Sequence, residues 1–303
     1  MTASSTTAIV RAPDGTELLT RRWPRLPGDP PSWGAVLLVH GLGEHSGRYE
    51  HVGRWLTSAG LAAHAYDHRG FGGSGGRRAY VERWSQLHDD LEGRLEDVRG
   101  TAAGCPVILY GHSMGGLVAA GYVVDGRTPP DRLVLTGPGL DSDVPASRRM
   151  AVRLLGSLAP TLAIPSGIRA EALSREPSIW RLYRDDPLNE KRTTLRFARE
   201  GIAEQARVRG SVTRLTIPTL VIHGGDDRLV PPAASAVLET SPLVARRVYP
   251  GLRHEVHNEP EGADVVAEVV AWLAASLRGS AAAPAARPDV ATPVATTAAA
   301  VAL

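Results

Sequence analysis

Three short stretches hold the side chains best suited to chemistry in this chain of 303 residues. The first is GHSMG, Gly111 to Gly115, where the apolar run VILY gives way to the helix-forming GLVAAGYVV and Ser113 stands at the joint. A serine hydroxyl is a weak nucleophile until a base takes its proton, and the base in turn needs an orienting partner. A G-x-S-x-G turn between strand and helix meets the steric need. It lifts the hydroxyl clear of the sheet, and the helix start behind it offers N–H groups to a developing oxyanion. Gly111 and Gly115 leave room that a Cβ would fill. The second stretch, TLVIHGGDDRLVP, ends a strand in a turn holding Asp226 and Asp227. The third, VYPGLRHEVHNEP, places His254 and His257 in the loop after the next strand. Singly, an aspartate in a turn is an ordinary cap and a loop histidine is ordinarily solvated. In the order serine, acid, histidine, at one edge of a parallel sheet, they describe a Ser–His–Asp relay.

The rest of the sequence supplies elements to position these groups. AIVRAPDGTELLTRRW alternates around Asp14-Gly15, a hairpin signal. AVLLVH, LAAHAYD, PVILYG, DRLVLTG, TLVIHG and ARRVYP then recur as short apolar runs between helical patterns. Leu87, Leu91, Leu95 and Val98 fall at helical spacing, as do Val265, Val266, Val269, Val270 and Leu273. Strands that are apolar on both faces and alternate with helices predict an α/β fold with a mostly parallel sheet covered on both sides. The rhythm breaks over 141–210, which reads as helices and loops without a clear strand, inserted between two strands as a lid. The core is therefore assigned to 8–140 and 211–278, with a loose N-terminus at 1–7. The Ala/Pro/Thr-rich tail 279–303 lacks the periodicity to bury a core and is expected to be disordered. No internal repeat is present.

Composition narrows the function. Net charge is +2 and Lys191 is the only lysine; the arginines are spread along the chain, so the broad basic patch of a nucleic-acid binder is absent. Cys105 is the sole cysteine, which excludes an intramolecular disulfide and a multi-cysteine metal site. His223 in HGGDD has no second histidine at ligand spacing, so no metal is expected. GFGGSGG lacks the lysine of a phosphate-cradling loop and reads as a tight turn at the sheet edge. No cofactor is implied. The first residues lack a secretory signal and no apolar run is long enough to span a bilayer, which points to the cytoplasm.

Taken together, HGLGEHSGRY (His40–Tyr49), DHRGFGGSGG (Asp67–Gly76), GHSMGG, DDRLVP and GLRHEVHNEP make the chain resemble the α/β-hydrolase family. Within it, the likeness is to the monoacylglycerol lipase and lysophospholipase group, and it runs from about Ala8 to Leu277. The resemblance implies an α/β-hydrolase fold with a helical cap, and a catalytic triad of Ser113, Asp227 and His254, with Asp226 as the alternative acid. It implies oxyanion donors at the backbone N–H groups of Leu42 and Met114. It also implies that Glu44, Arg48 and His257 hold a glycerol head group; pairing of Glu44 with Arg48 to brace the loop is the simpler structural role. Met150, Val152, Leu154, Leu155, Leu158 and Leu162, beside Arg148, Arg149 and Arg153, suggest an apolar mouth and peripheral contact with a lipid surface. The activity so implied is hydrolysis of monoacylglycerols to glycerol and fatty acid through an acyl-enzyme. A lysophospholipase or broad carboxylesterase is the alternative within the class, and a non-catalytic binding protein on the same scaffold the alternative outside it.

Overall fold

The computed structural model describes residues 4–141 and 144–278; the tail 279–303 lies outside them. The Asp14-Gly15 hairpin forms as expected. Strands β1 (Thr6–Arg11) and β2 (Glu17–Trp23) pair antiparallel, and Gly15 takes the positive φ of 84° that the turn requires. β1 begins at Thr6, inside the segment 1–7 expected to be loose, and the Ser5 hydroxyl is hydrogen-bonded to Glu50. Pairing with β2 offsets the ordering cost that composition alone leaves uncovered.

The chain continues through β3 (Gly34–Val39), α1 (Glu50–Ser58), β4 (Leu61–Tyr66), α2 (Ser85–Thr101), β5 (Val107–His112), α3 (Met114–Val124) and β6 (Arg132–Thr136). After the insertion come β9 (Thr219–Gly224), the short α7 (Ala233–Ala236), β10 (Val244–Tyr249) and α8 (Gly262–Arg278). Eight strands form one sheet in the order β1-β2-β4-β3-β5-β6-β9-β10. β2 runs antiparallel to β4, and every pairing from β4 to β10 is parallel.

Side-chain alternation builds two cores from these strands. Leu37, Leu109, Leu135 and Val221 face the layer containing α2 and α3. Val36, Leu38, Ile108, Tyr110, Val134, Leu220 and Ile222 face the layer containing α1 and α8. Both faces are covered, so β3, β5, β6 and β9 are buried along their whole length. Period-two alternation of hydropathy is therefore lost in exactly those strands, as parallel sheets require. The ends of β5, β9 and β10 bring Ser113, Asp227 and His254 to one edge.

The segment 141–210 contains α4 (Ala146–Leu158), β7 (Ala163–Pro165), α5 (Pro177–Asp185), β8 (Arg192–Thr194) and α6 (Leu195–Arg209). The expectation of no strand there is corrected: β7 and β8 pair antiparallel, Ala163 opposite Thr194. Three residues each, one of them Pro165, are too few to show a periodicity. α6 packs on α4 and on α3, the helix that follows Ser113.

Candidate active site

Ser113 lies between β5 and α3 with φ 51° and ψ −117°, a conformation an L-residue holds only when its surroundings impose it. The glycines around it explain how. A Cβ on Gly115 would stand 2.1 Å from the carbonyl oxygen of Val39, and one on Gly111 2.5 Å from that of Gly115. The turn is thus pressed against the end of β3 and folded on itself. Gly41, on the neighbouring loop, lies so close that its Cβ would come within 3.1 Å of the Ser113 Cβ. Leu42 follows it directly. Met114 opens α3, so its N–H has no carbonyl one turn earlier to bond.

The serine, histidine and second aspartate meet. Ser113 Oγ lies 2.8 Å from His254 Nε2, and His254 Nδ1 lies 2.7 Å from Asp227 Oδ2. A carboxylate facing Nδ1 places the ring proton there and leaves Nε2 as the acceptor for the serine hydroxyl. Asp227 Oδ1 accepts the N–H groups of Leu229 and Val230 at 2.8 and 2.9 Å. Asp226, the alternative acid, does not take this place; its own N–H bonds the Leu252 carbonyl. Burial works against charge on His254, yet the attraction and hydrogen bond of Asp227 outweigh it and hold its pKa above the ordinary 6.5. Burial likewise pushes the Asp227 carboxyl up, but His254 and His223 prevail and keep it well below the usual carboxylate range. His112, whose ring centre is 4.8 Å from that of His254, is driven down to about 3 by burial and by His254, so it stays neutral.

The loop His40–Tyr49 is braced from within. His40 Nε2 accepts the N–H of His68, and Asp67 accepts those of Ser46 and Gly73. That gives DHRGFGGSGG its role: it is the tight turn that clamps this loop. Glu44 Oε1 accepts from Gly41 N at 2.6 Å and from the Tyr49 hydroxyl at 2.7 Å, while Oε2 pairs with Arg48 Nη1 at 2.6 Å. The Glu44–Arg48 pairing therefore forms. Arg48 also grips Glu255 with both Nη1 and Nη2, at 2.6 and 2.8 Å. His257 is buried with its ring stacked on Tyr49, centres 5.0 Å apart, and neither ring nitrogen has a partner among the described residues. From the inserted segment, Tyr183 on α5 lies across Arg48, with its ring centre 5.1 Å from the guanidinium carbon.

The sequence family described as serine aminopeptidase, S33, matches residues 30–261. A monoacylglycerol lipase of Mycolicibacterium smegmatis is 36% identical over 234 residues, 75% of this chain and 83% of that protein. A phospholipase of Bacillus subtilis is 30% identical over 240 residues, 76% of this chain and 91% of its own length. Among solved structures, the monoacylglycerol lipase of Paleococcus ferrophilus superposes with a TM-score of 0.77 at 28% identity, covering 86% of this chain and 99% of that one. The chain is an α/β-hydrolase.

Within this α/β-hydrolase, sequence reasoning overlooked three participants. In sequence, His223 offers only a metal-ligand reading that its spacing rejects, yet its Nε2 lies 3.1 Å from Asp227 Oδ2; a histidine four residues before Asp227, across a Gly-Gly turn, is the available signal. Glu255 adjoins His254 in sequence, but its partner Arg48 is 207 residues away and no local pattern announces the pair. Tyr183 belongs to an amphipathic helix whose spacing shows that it packs without showing on what. Among the described residues, no helix is long and apolar enough to cross a membrane.

Proposed function

We propose that this chain hydrolyses monoacylglycerols to glycerol and fatty acid, with Ser113, His254 and Asp227 as the catalytic triad. The observation that carries this reading is the unbroken hydrogen-bonded line from the strained serine through His254 to a buried carboxylate. Ser113 Oγ attacks the ester carbonyl carbon while its proton passes to His254 Nε2. The tetrahedral oxyanion takes hydrogen bonds from the N–H groups of Leu42 and Met114, each worth about 3 kcal/mol in the transition state. The carbon–oxygen bond to glycerol breaks, and His254 returns the proton to the departing glycerol oxygen. Water then repeats the sequence on the acyl-enzyme and frees the acid.

A neutral base is required, so the pH profile follows from the direction of the His254 shift. A raised pKa means that the proton stays on to higher pH and activity is lost sooner on acidification. kcat/KM is expected to fall through a midpoint above 6.5, measured with a soluble ester between about pH 5 and 9. A midpoint below 6.5 contradicts the arrangement.

Arg48 and His257 suit the glycerol hydroxyls: both nitrogens of His257 are unpaired and Arg48 meets its two glutamates through Nη1 and Nη2, leaving Nε, whereas Glu44 is already engaged by Gly41, Tyr49 and Arg48. Such buried groups penalise an acyl donor that lacks the matching hydroxyls. Access requires α5 to move Tyr183 off Arg48. The segment 141–210 then serves as the cap, and its exposed Met150, Leu154, Leu155, Leu158, Leu162 and Leu182, rimmed by Arg148 and Arg153, suit contact with a lipid surface. Peptidase chemistry is disfavoured: holding a free ammonium needs an open carboxylate, and Arg48 takes both Glu44 and Glu255.

Matched monoacyl, diacyl and triacyl glycerols, lysophosphatidylcholine and methyl esters of one fatty acid test the reading. The monoacylglycerol should be preferred over the methyl ester by about tenfold or more, with rates rising when substrate is presented as aggregates. Equal kcat/KM for glycerol and methyl esters removes the head-group assignment. A preference for lysophosphatidylcholine substitutes the phospholipase reading.

A further inference from the structure

Asp227 is held on the side away from His254 as well, and this bears on how the triad is built, if the triad reading above is accepted. His223, on β9, is fully buried. Its Nε2 faces Asp227 Oδ2 at 3.1 Å and the Val230 carbonyl at 3.0 Å. Both neighbours are acceptors, so Nε2 carries a proton in either charge state of the ring. The other nitrogen, Nδ1, lies 2.9 Å from Ser235 Oγ, and that oxygen accepts from Arg246 Nε at 2.9 Å. The Ser235 proton can go to His223 Nδ1 or to the Pro232 carbonyl at 3.1 Å. That carbonyl already accepts Arg246 Nη2 at 2.6 Å. With the serine proton turned to Nδ1, the imidazole is neutral and every donor points inward: Arg246 to Ser235, Ser235 to His223, His223 to Asp227.

We propose that His223 is a positioning residue for the catalytic acid, holding the Asp227 carboxylate so that Oδ2 stays presented to His254, while Ser235, itself held by Arg246, meets its other nitrogen. Oδ1 takes two backbone N–H groups and Oδ2 takes two imidazole donors, which leaves the carboxylate without a free rotation. Two imidazoles on one oxygen also divide its charge. Removing His223 therefore has two separable effects. The carboxylate turns more freely, which slows the proton transfer. It also concentrates its charge on His254, which stabilises the imidazolium and moves the acid limb of activity to higher pH. The other groups whose charges or rings reach His254 are His112 and the Glu44–Arg48–Glu255 cluster. They are the same in both proteins, so a shift in that limb reports on His223. Substrate binding is untouched, because His223 lies behind Asp227 and is sealed from solvent.

The test uses His223→Leu and His223→Gln in the full chain. For the leucine variant, kcat should fall on the order of tenfold, the scale of losing an orienting partner behind a reacting group, with KM unchanged. Its acid limb should rise by about half a pH unit, and the far-downfield proton resonance of His254 Nδ1 should move. Glutamine, whose amide nitrogen can reach both acceptors while its oxygen faces Ser235, should restore rate, limb and resonance together. A folded leucine variant with wild-type limb and resonance overturns the proposal, as does glutamine behaving like leucine. Where the leucine variant does not fold, nitrogen-15 NMR of the wild-type protein decides: His223 Nε2, which faces two acceptors, should carry its proton while Nδ1 is bare, and an Nε2 without a proton is again a refutation. Failure of the triad itself looks different: the wild-type protein would then lack the downfield proton and Ser113 would not react with a fluorophosphonate.

Discussion

Alanine in place of Ser113 is expected to lower kcat by about 10⁶-fold, the loss typical of removing the nucleophile from a Ser–His–Asp relay. The fold should survive. Among the described residues, the only hydrogen bond of the Ser113 hydroxyl is to His254 Nε2 at 2.8 Å, so removing it leaves no protein donor or acceptor stranded beyond that ring nitrogen. Alanine has the same backbone preferences as serine at φ 51°, so the strain of the turn is neither added nor relieved. What remains is an acyl-binding site with oxyanion donors but no attacking atom, good for about 10³- to 10⁴-fold over water. Turnover of a soluble ester, the urea midpoint and labelling by a fluorophosphonate read the three consequences. Wild-type protein should label at Ser113 and the variant should not, with stability changed by less than about 0.5 kcal/mol. Hydrolysis by the purified variant within about a hundredfold of wild type would remove Ser113 from the mechanism.

That prediction could be framed from sequence because the three residues proposed as the triad are announced by short local signals. GHSMG, DDRLVP and HEVH each lie at the end of a strand that its own apolar run identifies, and parallel pairing then gathers the strand ends at one edge. The sheet was legible for the same reason: β3, β5, β6 and β9 are continuous apolar runs because helices cover both faces. What the sequence hid depends on long-range meetings or on pieces too short to carry a period. Arg48 and Glu255 are 207 residues apart. β7 and β8 have three residues each. The apolar residues of α4 announce an amphipathic helix, but not that Val152 alone of them turns inward against the body while Met150, Leu154, Leu155 and Leu158 stay exposed. His223 was hidden differently, by chemistry rather than distance. A histidine near two aspartates suggests a metal site until the turn is seen to aim its Nε2 at the oxygen already shared with His254.

Methionine in place of Arg48 should cost about 3–5 kcal/mol of unfolding free energy, because it leaves two buried carboxylates without their counter-ion. Arg48, Glu44 and Glu255 are all buried, their side chains 9%, 3% and 2% exposed. Burial alone would make the Glu255 carboxyl hard to ionise. The charge and hydrogen bonds of Arg48 reverse this and hold it well below the usual carboxylate range. With the guanidinium gone, Glu255 keeps the amide of Asn258 at 2.6 Å and Glu44 keeps Gly41 and Tyr49, but neither has a positive partner. One or both must then take up a proton or unfold the loop, and since Gly41 lies against Ser113, activity falls with stability. Breaking a buried ion cluster differs from replacing it, and a second substitution separates the two. Arg48→Met combined with Glu255→Gln removes one of the stranded charges and should recover more than half of the lost stability in urea titrations. The double variant should still discriminate poorly between glycerol and methyl esters, because the side chain assigned to the head group is absent. A single variant that loses less than about 1 kcal/mol would mean that Arg48 is solvated in solution rather than locked between the two glutamates. A double variant that regains its preference for glycerol esters would assign head-group recognition elsewhere.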